Sequence, residues 1–267
     1  MIAMLSLSGH TAHHLLTITI LLTGFVSPLV NAQHSDIWLV LDGNQTAVSP
    51  IDLETLSPTK VDWASGNLLF TGDFDDIGQG PTATDDPGFQ SEPGTFNAGA
   101  ILNFRAVEAL QFWNGTAWGN TVADQERIQI VDALSSITSI NSAGIISPEG
   151  AIDQIAGDGS VHQHVDFSID NAAGSGAIAS GAYRIELELY LTDGVGGPMV
   201  HSTSQPVSLV FNYQLTASEF ANAINQLTQP QGVNVPIPGI MLFFFAGLLA
   251  IIAGFSRSFN PRNKELS

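Results

Sequence analysis

From Tyr183 to Leu191 the chain reads YRIELELYL, with apolar and polar side chains alternating almost without a break. A strand turns successive side chains to opposite faces. Ile185, Leu187, Leu189 and Leu191 are therefore predicted on a core face, with Glu186, Glu188 and Tyr190 on a solvent face. Shorter runs of strand character cover residues 36–41, 67–71, 100–106, 109–113, 127–131, 161–169 and 206–215. Turn chemistry separates them, as in Asp42-Gly43-Asn44 and Asn114-Gly115. Helical spacing is confined to one place: Thr216-Ala217-Ser218-Glu219 is a capping box opening a helix to about Leu227. The predicted fold is all-β, an antiparallel β-sandwich or jelly roll with one short C-terminal helix. Parallel βαβ architecture lacks the intervening helices it needs. Residues 72–99, rich in Gly, Pro, Asp and Thr, form a connection long enough to be functional or mobile.

The two ends follow a different pattern. Residues 1–32 carry no Asp, Glu, Lys or Arg, and Leu15 to Val30 is apolar with small residues up to Ala32. This predicts a secretory signal peptide over 1–32, although a basic n-region is missing and an uncleaved N-terminal anchor is the alternative. Near the other end, Ile237 to Phe255 is uncharged. Coiled as a helix it is roughly 28 Å long, enough for a bilayer core. Arg257, Arg262 and Lys264 follow, which places the tail on the cytoplasmic side. The predicted organisation is a domain over 33–228, a linker and motif over 229–238, a transmembrane helix over 239–256 and a basic tail over 257–267. The protein is expected to be exported and held at the outer face of the inner membrane or the cell surface.

Charge narrows the partners. Between the two ends only Lys60, Arg105, Arg127 and Arg184 are basic, against 24 acidic residues, a formal charge of −20. Nucleic acid is excluded, because phosphate binding needs the opposite sign. Acidity favours cations or simply solubility in a salty habitat. Cysteine is absent, so disulfides, thiolate metal sites and cysteine nucleophiles are excluded.

Candidate chemistry centres on Asp158 to Asp170. Strand parity puts Val161, Val165, Phe167 and Ile169 on one side and His162, His164, Asp166, Ser168 and Asp170 on the other. Imidazoles at i and i+2 lie about 6.5–7 Å apart at Cα and can converge on one ion. Asp166 would be a third ligand or the acceptor that fixes a histidine tautomer. His34 and Asp36 repeat the spacing in the first strand, and His201 is a further candidate. Such donors suit Zn²⁺ or Cu²⁺, with Ni²⁺ also fitting. The alternative is a solvated polar strand face. Asp73, Asp75, Asp76, Asp85 and Asp86 offer oxygen ligands to Ca²⁺ but lack the spacing of a calcium loop, so calcium ranks below zinc. No GxSxG, P-loop or HExxH motif is present, and no catalytic residues are assigned.

The segment Val235-Pro236-Ile237-Pro238-Gly239, the apolar run and Arg257 resemble the PEP-CTERM family of exosortase sorting signals, in a VPxP form with Ile237 between the prolines. That resemblance implies an exosortase-type processing enzyme as partner and release to the extracellular side after cleavage. His34-x-Asp36, Thr84-Asp85-Asp86-Pro87-Gly88-Phe89, Phe112-Trp113-Asn114-Gly115 and His162-Gln163-His164-Val165-Asp166 resemble pieces of zinc-regulon (Zur-repressed) PEP-CTERM surface proteins. That second resemblance implies a link to zinc limitation. Two functions are expected from these readings. One is a non-catalytic, surface-associated protein binding a divalent transition metal, zinc first; the other is a structural or adhesive surface component without a metal site.

Overall fold

The computed structural model describes residues 36–53, 55–74, 80–119, 125–173 and 176–229. The predicted signal peptide, His34, the sorting motif, the span and the basic tail lie outside the described residues, as do Asp75 and Asp76. Among the described residues no helix is long and apolar enough to cross a membrane. The regular structure of the described chain is mostly β-strand, in several sheets, with one short helix.

The largest sheet is organised by β18 (Gly181–Thr192), the longest strand. One edge of β18 pairs with β19 (Val207–Tyr213). The other edge is shared: β10 (Gln111–Trp113) covers its first half and β9 (Ile101–Ala106) its second. Beyond them lie β11 (Trp118–Gly119) against β10 and β15 (Glu149–Gln154) against β9. On the far side β19 pairs with β6 (Leu68–Asp73), and β6 with β5 (Lys60–Val61). A five-stranded sheet runs β14 (Gly144–Ile146), β13 (Ile137–Asn141), β12 (Glu126–Val131), β17 (Asp166–Asn171), β7 (Ala83–Thr84). A four-stranded sheet runs β16 (Val161–Gln163), β8 (Phe89–Ser91), β1 (Ile37–Asp42), β2 (Gln45–Val48). A small hairpin joins β3 (Ile51–Asp52) to β4 (Ser57–Pro58).

The pairing is not wholly antiparallel as the alternation suggested: β1 runs parallel to β8, and β19 parallel to β6. The connection over 72–99 is also more ordered than its composition predicted, since it contributes β7 and β8.

One core joins all three larger sheets. Ile37 and Phe89 come from the four-stranded sheet, Phe104, Leu187 and Phe211 from the largest, and Ile128 and Phe167 from the five-stranded one. Each such side chain, fully removed from water, contributes about 1.5–3 kcal/mol before packing terms.

The helix α1 (Ala217–Thr228) starts where predicted, with the Thr216–Glu219 capping box formed. Its Ala223, Ile224 and Leu227 pack on Leu69, Trp113, Ala182 and Val210, the outward face of the largest sheet. Further along β18 the same face departs from the sequence pattern. Ile185, Leu187, Leu189 and Leu191 do face the core, but Glu186 and Tyr190 opposite them are buried too, at 7% exposure each. Arg184, on the same face, is 6% exposed and pairs with Asp62 Oδ2 at 2.8 Å. It also pairs with Glu186 and donates to Gln111 Oε1 at 2.9 Å. The polar face of β18 is thus a buried ionic layer, and one buried cation answers two carboxylates.

Burial pushes the Glu186 carboxyl above its ordinary value; Arg184 pulls it back down, and Glu108 adds to the rise. A carboxyl raised in the folded state stabilises fully below its unfolded pKa, and that contribution is lost as pH rises through the raised value. The fold should therefore lose stability as pH climbs above the ordinary Glu range, and Glu186→Gln should lack that loss. Denaturant midpoints of both proteins from pH 4 to 8 check this: the variant should gain on the parent with rising pH, and parallel curves would refute it.

Candidate metal centre

The strand predicted over 161–169 is two strands in two different sheets. The chain breaks at His164-Val165, with β16 in the four-stranded sheet and β17 in the five-stranded one. Val161, Val165, Phe167 and Ile169 are all buried, so parity survives the break. What changes is the company of the two histidines.

Register defines that company. Ile37 stands opposite Phe89, and Phe89 opposite Gln163. One step further toward the same end of the sheet, Asp36, Gly88 and His164 fall side by side. Ile37 and Phe89 point into the core at 0% exposure, so alternation turns Asp36, Gly88, His162 and His164 to the opposite face. Gln90 and Trp38 share the His162 row, and Gln90 Nε2 and Trp38 Nε1 are buried without a protein hydrogen-bond partner.

Asp36, His162 and His164 each bring one donor atom within 4.8 Å of the others. The Asp36 side chain is 9% exposed; its Oδ1 accepts the Gly88 amide at 3.1 Å, and its Oδ2 lies 3.6 Å from His162 Nε2. His162 is the rim, its side chain 66% exposed, and its ring centroid is 5.5 Å from that of His164.

His164 is the constrained member. Its Nδ1 is 2.9 Å from the Asp85 carbonyl oxygen and 3.5 Å from Asp86 Oδ1. A carbonyl only accepts, so Nδ1 carries the proton and the Nε2 lone pair is left for a ligand. A backbone carbonyl on the far nitrogen is the arrangement that orients metal-ligating imidazoles.

Gly88 leaves room for this ring. A Cβ there would lie 2.6 Å from His164 Cε1, 2.7 Å from its Nε2 and 2.9 Å from Asp36 Oδ1. Beneath the same loop, a Cβ on Gly72 would meet the Asp86 carbonyl oxygen at 2.5 Å, so β6 also admits the loop only because it carries glycine there.

A second group, Asp85, Asp86 and His164, also brings its donor atoms within 4.8 Å of one another. It would draw on the His164 nitrogen already committed to the Asp85 carbonyl, which makes it the weaker set.

The other expected ligands lie elsewhere. Asp166 is exposed at the start of β17, opposite Val131 in the five-stranded sheet. His201 Nδ1 is 3.2 Å from Asn44 Oδ1 at the β1–β2 turn, some 20 Å from Asp36 along β1. Asp170 is held by Arg127 at 2.6 Å, and Asp73 accepts from Asn212 at 3.0 Å. The sequence pattern did not point to Gly88 or to the Asp85 carbonyl; the signal was the turn Asp85-Asp86-Pro87-Gly88 directly before the apolar Phe89.

No protein-family model matches the chain, and no curated protein matches it. Among solved structures it is similar to the CupB6 tip adhesin from Pseudomonas aeruginosa at 13% identity, over 60% of this chain and 45% of that one, with a TM-score of 0.28. At that score the likeness carries no argument about fold or activity.

Gly88→Ala should displace the His164 ring while leaving the hydrophobic core intact. In NMR spectra the His164 ring resonances should move, with those of β18 and β19 unchanged. An unmoved His164 would show that the glycine is not what admits the ring.

Proposed function

We propose that this chain is an exported β-sandwich protein, held at a membrane surface, that binds a divalent transition metal at Asp36, His162 and His164 without catalysing a reaction. The observation that carries the proposal is the convergence of those three donors, with the His164 tautomer preset by the Asp85 carbonyl. Two imidazoles and one carboxylate suit Zn²⁺ first and Cu²⁺ second; Ca²⁺, which takes oxygen ligands, fits this set poorly. Asp36 Oδ2 and His162 Nε2 lie 3.6 Å apart, and His162, exposed on the rim, can turn to close the set on an ion. The resemblance to zinc-regulon surface proteins agrees with this metal, and the resemblance to exosortase sorting signals supplies a route to the surface.

The test is zinc content and affinity of the purified protein beside three variants. The parent should hold close to one zinc. Asp36→Asn should lose at least the roughly 10–100-fold in affinity that follows loss of a group merely orienting a ligand. His162→Ala/His164→Ala should lose binding altogether, and Asp166→Ala should bind like the parent. A parent that takes up no zinc at micromolar concentrations would end the metal reading and leave the structural or adhesive one.

Anchoring is tested separately. Deleting residues 236–267 should release the protein from membranes into the medium. A truncated chain that stays with the membrane would move the anchor to residues 1–32.

A further inference from the structure

Exposed apolar side chains are not spread evenly. Among the described residues, Ile51 (44% exposed), Leu53 (37%), Leu56 (76%), Val61 (41%) and Trp63 (61%) fall within the thirteen residues from β3 to the turn after β5. Single exposed apolar residues need no explanation, but a concentration of this kind marks an interaction surface. Leu56 sits in the β3–β4 turn at φ 54°, a conformation that L-residues other than Asn, Asp and His seldom adopt, with its side chain in water. Lys60, exposed between these positions, is one of only four basic residues between the two ends of the chain.

The position of this segment says what it meets. The Trp63 amide donates to the Leu227 carbonyl at 2.8 Å, and β5 packs against α1. Trp63 therefore stands where α1 ends and the chain leaves for the apolar run that begins at Ile237. Seven residues separate Gln229 from Ile237, eight Cα-to-Cα steps that reach at most about 28 Å when fully extended. If residues 237–255 lie in a bilayer, the end of α1 is held within that distance of it, and Trp63 with it.

We infer that the β3–β4 hairpin and the Trp63 turn form a lipid-facing foot that rests in the headgroup region of the membrane anchoring the chain. The inference rests on the membrane-anchored reading above. Trp63 matches the interfacial preference of indole rings, with an apolar body and a polar N–H. Leu56 and Val61 supply apolar area, and Lys60 can lay its stem along the apolar surface and its ammonium among phosphates. A formal charge of −20 over the exposed domain argues for zwitterionic headgroups rather than anionic ones. A foot at this place would fix which side of the domain faces outward.

Trp63 is the one exposed tryptophan of four, which makes the test direct. The full chain is reconstituted into phosphatidylcholine vesicles whose acyl chains are brominated near the headgroup, and flotation is measured first. Lipid quenching of tryptophan fluorescence is then compared between the parent and Trp63→Phe, which floats equally. More than half of the quenching should vanish in the variant. Equal quenching in both proteins, with both floating, would overturn the foot while leaving the anchor standing. A parent that fails to float would overturn both. Because the chain has no cysteine, Leu56→Cys gives a single thiol; disulfide-linked dimers of that variant in the vesicles would assign the face to a second copy and overturn the lipid assignment.

Discussion

The candidate site depends on one register, the alignment of Ile37, Phe89 and Gln163 across three neighbouring strands. Ile37 and Phe89 are both wholly buried, so sliding either strand by one residue would exchange core and outward faces along its length. Losing two fully buried large side chains would cost several kcal/mol, a large share of the stability of any domain. That energy lies in the core and is spent on packing. Its by-product on the other face is that Asp36, Gly88 and His164 meet. The site needs no strong interaction of its own to assemble, because hydrophobic burial assembles it.

The same economy explains how a strand break becomes useful. β16 and β17 belong to different sheets, and His164 sits at the junction where the chain passes between them. A histidine inside a strand would point straight out of the sheet. One at the junction is reached by the loop over 85–88, whose Asp85 carbonyl accepts a hydrogen bond from Nδ1. Gly72 and Gly88 let that loop and ring approach closely; a Cβ at either position falls inside 3 Å of a neighbour. On the other side of the molecule the largest sheet carries Arg184 with Asp62 and Glu186 beneath a polar-looking strand face. Burying such a layer adds little net stability but penalises arrangements that leave a charge unpaired, so it favours the seating of β10 and the β5–β6 turn that brings Gln111 and Asp62 to Arg184.

Much of this architecture was legible in the chain. The alternation through β18 located the longest strand and its core face, and Thr216 with Glu219 located the helix and its cap. What the alternation could not reveal was how the outward face is covered, because Glu186 reads as surface until Arg184 and Ser208 are placed against it, and Tyr190 until Arg105 is. Periodicity also runs unbroken from Val161 to Ile169, since the buried set keeps its parity through the junction; a break that preserves parity leaves no mark on the pattern. The two parallel pairings were hidden for a related reason, as a strand's own sequence does not record the direction of its neighbour. For the site, His162, His164 and Asp36 were legible as candidate donors by residue type and spacing. Asp166 shares their parity but not their sheet. Gly88 and the Asp85 carbonyl act through backbone position, which residue type does not encode.

The three donors differ in freedom, and that difference bears on what the site can do. Asp36 is nearly inaccessible and tied to the Gly88 amide, and His164 is half-buried with its tautomer set by the Asp85 carbonyl. His162 is two-thirds exposed, with a 3.6 Å approach to Asp36 and its ring beside that of His164. A pair preorganised from within loses little entropy on meeting an ion, whereas the third donor must be ordered when it binds. Affinity should then arise mostly from the inner pair, and exchange should be controlled by the outer one. An ion could leave by the turning of a single exposed side chain, without opening the sheet. On the proposed function, such a site would take up and yield a metal rather than hold it in a closed, inert cage.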